Sequence, residues 1–390
     1  MTQQPPSPLF VCLAAAMALA VAMGVGRFAF TPMLPLMVRD GGLGMGDSAA
    51  LAAVNYFGYL VGALAAGRLP WPPTASARAS LIGVVVVTAA MGATTLFPLW
   101  LLLRGLAGLF SGWALVGVSA WALSALTQAG RPRLAAYVFA GVGTGVALAG
   151  LFCLFAARPG VSAARLWLEL GAAALVAIVA PLLLLRGGPA PASRPAAQAG
   201  GQSRDLNRLV LCYGVFGFGY ILPATFLPAL ARQMIDDPRV FGLVWPLFGA
   251  AAALSTLVAG ARWIQSHRLR AWATCHGLMA LGALLPSLWL TPASLVASAL
   301  LIGGTFMVVT MLGMQEARLR APDRAPAALG RMTAAFALGQ FAGPLALTAA
   351  PAGAQGLRLG LQAACVALAL TIPALWRLVS TAIRSNRSRL

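Results

Sequence analysis

Long apolar runs, each about as long as a helix that crosses a bilayer, alternate along this chain with short gaps that collect nearly all of the charge. A helix rises 1.5 Å per residue, so about 20 residues cover about 30 Å of hydrocarbon. Segmented on that length, the chain predicts spans at 9–37, 49–67, 79–96, 99–127, 134–156 and 166–185. A second set follows at 209–230, 240–261, 271–290, 294–315, 327–349 and 357–378. The runs lack the alternation of a membrane barrel, and a helix satisfies its own backbone hydrogen bonds where water is absent. The expected fold is therefore an all-α membrane protein of twelve transmembrane helices in two pseudo-symmetric six-helix halves, 1–186 and 209–390. Residues 187–208, rich in Pro, Ala, Gly, Gln, Ser and Arg, read as a flexible central linker on the cytoplasmic side.

The halves carry a trace of duplication. Gly24, Gly26, position 27 and Pro35 in the first span recur 193 residues later as Gly217, Gly219, position 220 and Pro228. Arg27 is replaced there by Tyr220. Glycine and proline are abundant, so chance recurrence competes with duplication, but an offset near half the chain fits a repeat.

Composition confirms the solvent. With 60% hydrophobic residues, 9% charged residues and a mean hydropathy of +0.85, the chain has too little polar surface to fold in water. The net charge of +19 resembles a nucleic-acid footprint, yet all 27 basic residues are arginine and they lie in the gaps between spans. With the N-terminus inside, nineteen fall on the inner side and six on the outer, leaving Arg27 and Arg104 within spans. That bias predicts both termini in the cytoplasm and a multi-pass protein of the inner or plasma membrane, with no nucleic-acid partner. Residues 1–8 hold no basic residue and the run after them is longer than a signal core, so the first span is expected to stay in the mature protein.

Chemistry is sparse. Cys12, Cys153, Cys212, Cys275 and Cys365 each stand alone in a different span, so packing is expected rather than disulfides or a metal site. No cofactor is expected. The chain has no Walker pattern and no lysine, which excludes a built-in P-loop ATPase, and transport energy would come from a gradient or a partner. No Ser/His/Asp set, acid pair or His-rich cluster shares one membrane depth, which argues against an enzyme.

The run Gly24-Val25-Gly26-Arg27-Phe28-Ala29-Phe30-Thr31-Pro32-Met33-Leu34-Pro35-Leu36-Met37, within twelve spans divided by a polar linker, resembles the major facilitator superfamily and its YbfB/YjiJ-like branch in particular. Gly217-Phe218-Gly219-Tyr220-Ile221-Leu222-Pro223-Ala224-Thr225-Phe226-Leu227-Pro228 and Gly339-Gln340-Phe341-Ala342-Gly343-Pro344 are similar to that branch too. Arg104-Gly105-Leu106-Ala107-Gly108-Leu109-Phe110-Ser111-Gly112 resembles a span-four pattern of proton-coupled members. One departure stands out: Gly62-Ala63-Leu64-Ala65-Ala66-Gly67-Arg68 lacks the aspartate of the usual gating motif, so the inner gate has no inherited latch. The resemblance implies alternating access, two halves rocking about a site near the midplane.

An arginine at the bilayer centre costs at least about 2.5 kcal/mol, so Arg27 is expected to face the interior. It either pairs structurally, with a backbone carbonyl, Glu169 or Asp47, or lines a pocket. Arg104, about one and a half turns inside its span, either snorkels outward or joins that pocket. The further substrate-binding candidates are Thr31, Asn55, Tyr59, Trp113, Tyr220, Thr225, Trp245 and Gln340. Glu316 and His276 are the coupling candidates, for protons or another ion. The bland readings are an i,i+4 pair of Glu316 with Arg320 and hydrogen-bonded packing for His276. Gly141, Gly143 and Gly145 in span five, and Gly105, Gly108 and Gly112 in span four, predict close helix packing. Pro32, Pro35, Pro223, Pro228 and Pro344 are expected to bend or break their helices.

These features favour a secondary transporter of a small organic solute, an anion if Arg27 receives it. A proton-coupled exporter of hydrophobic compounds competes, though no midmembrane acid stands ready for a cationic drug. A non-transporting membrane enzyme or interaction protein is the third reading.

Overall fold

The computed structural model describes residues 7–41, 43–185, 200–234, 242–348 and 354–387, with the side chains of 45, 200–203, 225–234, 347, 348, 354 and 381–387 excepted. The described residues are mostly helical, joined by short turns, and contain no strand. The helices are α1 (Pro8–Gly41), α2 (Met45–Arg68), α3 (Pro73–Gly92), α4 (Phe97–Gln128), α5 (Ala135–Ala156) and α6 (Ala163–Leu184). After residues 186–199 follow α7 (Gly200–Met234), α8 (Val244–Ala259), α9 (Arg268–Leu288), α10 (Pro292–Arg320), α11 (Ala325–Thr348) and α12 (Ala354–Arg387).

Each expected span thus has its helix. Among the described residues, ten helices are long and apolar enough to cross a membrane by length and composition. Of the other two, α8 is a shorter apolar helix of 16 residues and α11 has 24. The helix α7 begins at Gly200, so the last part of the segment read as linker is helical. Large apolar side chains such as Leu9, Val86, Val176 and Leu370 stand exposed on the outer faces, as lipid-facing positions must.

Short turns are closed by local chemistry. The α4 helix ends on Gly130 at φ +68°, with Arg131 N–H bonding Leu126 O at 2.8 Å and Gly130 N–H bonding Thr127 O at 3.0 Å. That pairing is the Schellman arrangement, whose left-handed position suits glycine. The Thr291 hydroxyl caps α10 by accepting from Ser294 N–H at 3.2 Å, and Ser162 caps α6 by accepting from Arg165 N–H at 3.2 Å. At the end of the bundle that holds the α1–α2 and α5–α6 turns, Asp40 accepts from Ala163 N–H at 2.6 Å and ties α1 to the start of α6.

Packing repeats between the halves. In the first, α1 packs on α5, α2 on α4, α3 on α4 and α3 on α6; six helices on, α7 packs on α11, α8 on α10, α9 on α10 and α9 on α12. The halves meet where α2 packs on α11 and α5 on α8. Both seams depend on small residues. Gly143 and Gly249 bring α5 and α8 into backbone contact across the halves, and within the first half Gly24 of α1 sits on the backbone of Gly145. A Cβ on Gly330 would stand 2.8 Å from the Ala63 carbonyl, which fixes how closely α11 approaches α2. The glycines expected to set close packing in α4 and α5 do so: Gly108 lies on the Asn55 carbonyl and Gly141 on that of Ala16.

Three of the five prolines do not break their helices. Helical winding continues through Pro35, Pro223 and Pro344. The departure from α geometry in α1 lies upstream of Pro32, where Ala20–Phe28 winds as a π-helix.

Candidate functional site

That π-helix carries Arg27. A π segment widens the turn and re-aims the side chains that follow it. Gly24 and Gly26 let it press against its neighbours, since a Cβ on Gly26 would come within 2.9 Å of Ser111 Oγ. The Ser111 hydroxyl in turn lies 2.7 Å from the Ala22 carbonyl and anchors the segment to α4.

Arg27 is buried, and its Nη2 donates to Oε1 of Gln340 on α11. The guanidinium carbon lies 3.8 Å from the Tyr59 ring centroid, 5.4 Å from Phe28, 5.8 Å from Tyr56 and 5.9 Å from Phe336. These ring faces offset part of the desolvation cost of the cation. Among the described residues, Nε and Nη1 of Arg27 and Nε2 of Gln340 find no hydrogen-bond partner. Arg27 forms no ion pair with Glu169 or Asp47. Glu169 pairs with Arg165 at 2.7 Å, and Asp47 accepts from Gly44 N–H at 2.9 Å.

Arg104 does not snorkel. It is buried with its guanidinium carbon 4.1 Å from the Phe30 ring centroid, and its Nε lacks a partner. Asn55 Nδ2 donates to the Arg104 carbonyl at 2.9 Å, which joins α2 to α4 beside both cations. Among the described residues no carboxylate pairs with Arg27 or Arg104.

Both arginines open onto one cavity of about 100 Å³ between the halves. The first half contributes Arg27, Thr31, Asn55 and Arg104, and the second Tyr220, Trp245 and Gln340; Phe28, Phe30, Leu34, Ala52, Tyr56, Ile221 and Ala224 complete the lining. No acid lines it. Position 27 and its counterpart 220, 193 residues apart, thus face the same space.

A family profile described as "Uncharacterised MFS-type transporter YbfB" matches residues 19–376, most of the chain. The chain belongs to this family. Among solved structures, the human organic anion transporter MFSD10 (TETRAN) is similar in fold, with a TM-score of 0.71 over 95% of this chain and 100% of that one. At 16% identity, that likeness speaks for the fold alone. No match was found among curated proteins.

Within this major facilitator fold, the remaining candidates have definite places. Tyr59 lies under Arg27 and outside the cavity lining. The side chain of Thr225 lies outside the described residues. Trp113 packs against Trp71, with centroids 5.3 Å apart, away from the cavity. Tyr56, Phe28 and Phe30 were missed by sequence reasoning, although Tyr56 adjoins Asn55 and both phenylalanines lie within the signature of the first span.

The coupling candidates lie elsewhere. Glu316 on α10 receives Arg320 and also Arg268 of α9, the latter at 2.6 Å. The i,i+4 pair is present, and a second arginine joins it. His276 on α9 accepts from Trp272 Nε1 at 2.7 Å through Nε2. An indole nitrogen only donates, so Nε2 is bare and the ring proton sits on Nδ1. Nδ1 faces Thr371 Oγ1 at 2.6 Å, and Thr371 passes its own proton to the Leu368 carbonyl at 2.6 Å. Every site on the imidazole is used.

At the end of the bundle that holds the α4–α5 and α10–α11 turns, the halves are also joined by polar contacts. Arg318 of α10 donates to Thr127 at 2.9 Å and Ser124 at 3.2 Å, both on α4. Gln315 Nε2 reaches the Pro132 carbonyl at 3.4 Å.

Proposed function

We propose that this protein is a secondary carrier of small organic anions, which it moves by alternating access about the cavity between its halves. One observation carries the reading: two buried guanidiniums from the first half line a cavity without any acidic residue in its lining, and they keep donors with no acceptor among the described residues. A buried cation without a counter-charge is costly, and an anionic solute supplies the missing charge. Arg27 would hold the carboxylate, Arg104 would add a second positive field, and Tyr220, Trp245 and Gln340 would close on the solute from the other half. Thr225, one turn beyond Tyr220, is proposed as a further contact.

The carrier is placed in an inner or plasma membrane with both termini and the central linker cytoplasmic, on the strength of the arginine bias. Proton coupling through Glu316 or His276 finds no support in their surroundings, because neither lines the cavity. A transporter family and a cavity lined by a basic, acid-free set also weigh against catalysis.

The test is charge movement in reconstituted proteoliposomes on a solid-supported membrane. Concentration jumps of benzoate, succinate and citrate should give transient currents with wild type, and Arg27→Gln should abolish them. Currents with tetraphenylphosphonium alone would favour an exporter of hydrophobic cations instead.

A further inference from the structure

The cavity is unbalanced in hydrogen-bonding character. Of the polar atoms on its lining residues that are buried without a partner, Arg27 Nε and Nη1, Arg104 Nε, Gln340 Nε2 and Trp245 Nε1 are all donors. Asn55 Oδ1 alone is an acceptor. Guanidinium and indole groups donate only, and arginine keeps its charge, so no change of tautomer restores balance. A carboxylate brings acceptors and nothing else. An ammonium brings three donors and a positive charge into a space that already holds two cations and no acid.

The walls add a second constraint. Phe28, Phe30, Tyr220 and Trp245 present rings to the space, and Phe28 and Trp245 meet across the halves with centroids 6.4 Å apart. Flat apolar matter fills such a slot better than a flexible chain, because it loses less conformational entropy on binding.

Resting on the carrier reading above, we propose that the cavity selects organic acids with a flat apolar body and no cationic group, and refuses the matching zwitterions and amines. The basis of refusal is repulsion and unpaired donors, which discriminate more sharply than an added attraction.

Three compounds sharing one carbon frame test this: 3-phenylpropionate, L-phenylalanine and phenethylamine differ only in which charged groups they carry. Titration calorimetry on purified wild type at pH 7 should give 3-phenylpropionate a dissociation constant at least about tenfold below that of L-phenylalanine, and no measurable binding of phenethylamine. Hexanoate should bind severalfold more weakly than 3-phenylpropionate. Gln340→Glu sets a carboxylate beside Arg27 and should lower the preference for 3-phenylpropionate over L-phenylalanine about tenfold. Should that variant not fold, Trp245→Phe keeps a ring but removes a donor, and should weaken 3-phenylpropionate severalfold.

Equal binding of 3-phenylpropionate and L-phenylalanine, or binding of none of the three, overturns the inference. So does an unaltered preference in Gln340→Glu or unaltered affinity in Trp245→Phe, and hexanoate binding as tightly as 3-phenylpropionate overturns the flat-body requirement. Failure of the carrier reading looks different: the binding preference would persist while proteoliposomes showed no flux.

Discussion

Arg27 and Gln340 join the two halves of the molecule through one hydrogen bond, from a π-wound segment of α1 to α11, 313 residues further along the chain. The bond uses one nitrogen of the guanidinium and leaves Nε and Nη1 free for another acceptor. The same side chain therefore touches both halves and keeps donors for a solute, which is where a carrier needs its substrate to be felt.

Arg27→Lys is expected to weaken anion binding roughly tenfold or more. The replacement keeps the charge but loses the planar fork that matches a carboxylate, a charge-assisted interaction of about 1.5 to 3 kcal/mol. Binding of benzoate to the folded variant checks this, with thermal stability in the absence of solute measured alongside. A large loss of stability without solute would assign Arg27 to structure instead.

Gly143→Leu should damage both stability and transport. Gly143 meets the backbone of α8 near Ala253, so a larger side chain would force the halves apart along the α5–α8 seam. Overpacking of this kind costs about 1 to 3 kcal/mol. A drop in melting temperature in detergent, together with lost flux, is the expected result. Full activity would show that the seam tolerates separation.

Removal of the Arg318 side chain should loosen the end of the bundle that holds the α4–α5 and α10–α11 turns. Arg318 bridges the halves to Thr127 and Ser124, and these contacts are expected to latch that end in place of the aspartate that the α2–α3 motif lacks. With about 1 kcal/mol per net hydrogen bond, Arg318→Ala should shift the equilibrium toward opening at that end several-fold or more. Hydrogen exchange at residues 124–134 should rise accordingly, while exchange in α9 and α12 stays unchanged.

His276→Leu should lower stability by about 1 to 3 kcal/mol and leave the pH profile of transport as it was. Its cost is the orphaned Trp272 indole N–H, which loses its acceptor in a dry interior. A changed pH profile in a folded variant would return His276 to the coupling pathway.

Much of this architecture is written locally in the chain. Twelve helices, the lipid-facing surface and the interior position of Arg27 follow from run length and hydropathy, because a bilayer forces each span to satisfy its own backbone. The glycines that would make close crossings were visible for the same reason, since a missing side chain is a property of one residue. The π winding at Ala20–Phe28 was not visible in the pattern of hydrophobic positions, and in the fold it lies where Gly24 and Gly26 meet α5 and α4.

What the tertiary structure decided was which polar groups meet. Local sequence offered Arg27 the acids Glu169 and Asp47, yet each satisfies a neighbour within four residues, and Arg27 turns to Gln340. It likewise brought Thr371 to His276, 95 residues away, and Arg268 to Glu316, 48 away. Helix rotation and crossing position set such meetings, and both are fixed by small-residue contacts between distant segments. The sequence determined that two cations must be sheltered from lipid; only packing of the two halves determined that they share a cavity with no acid in it.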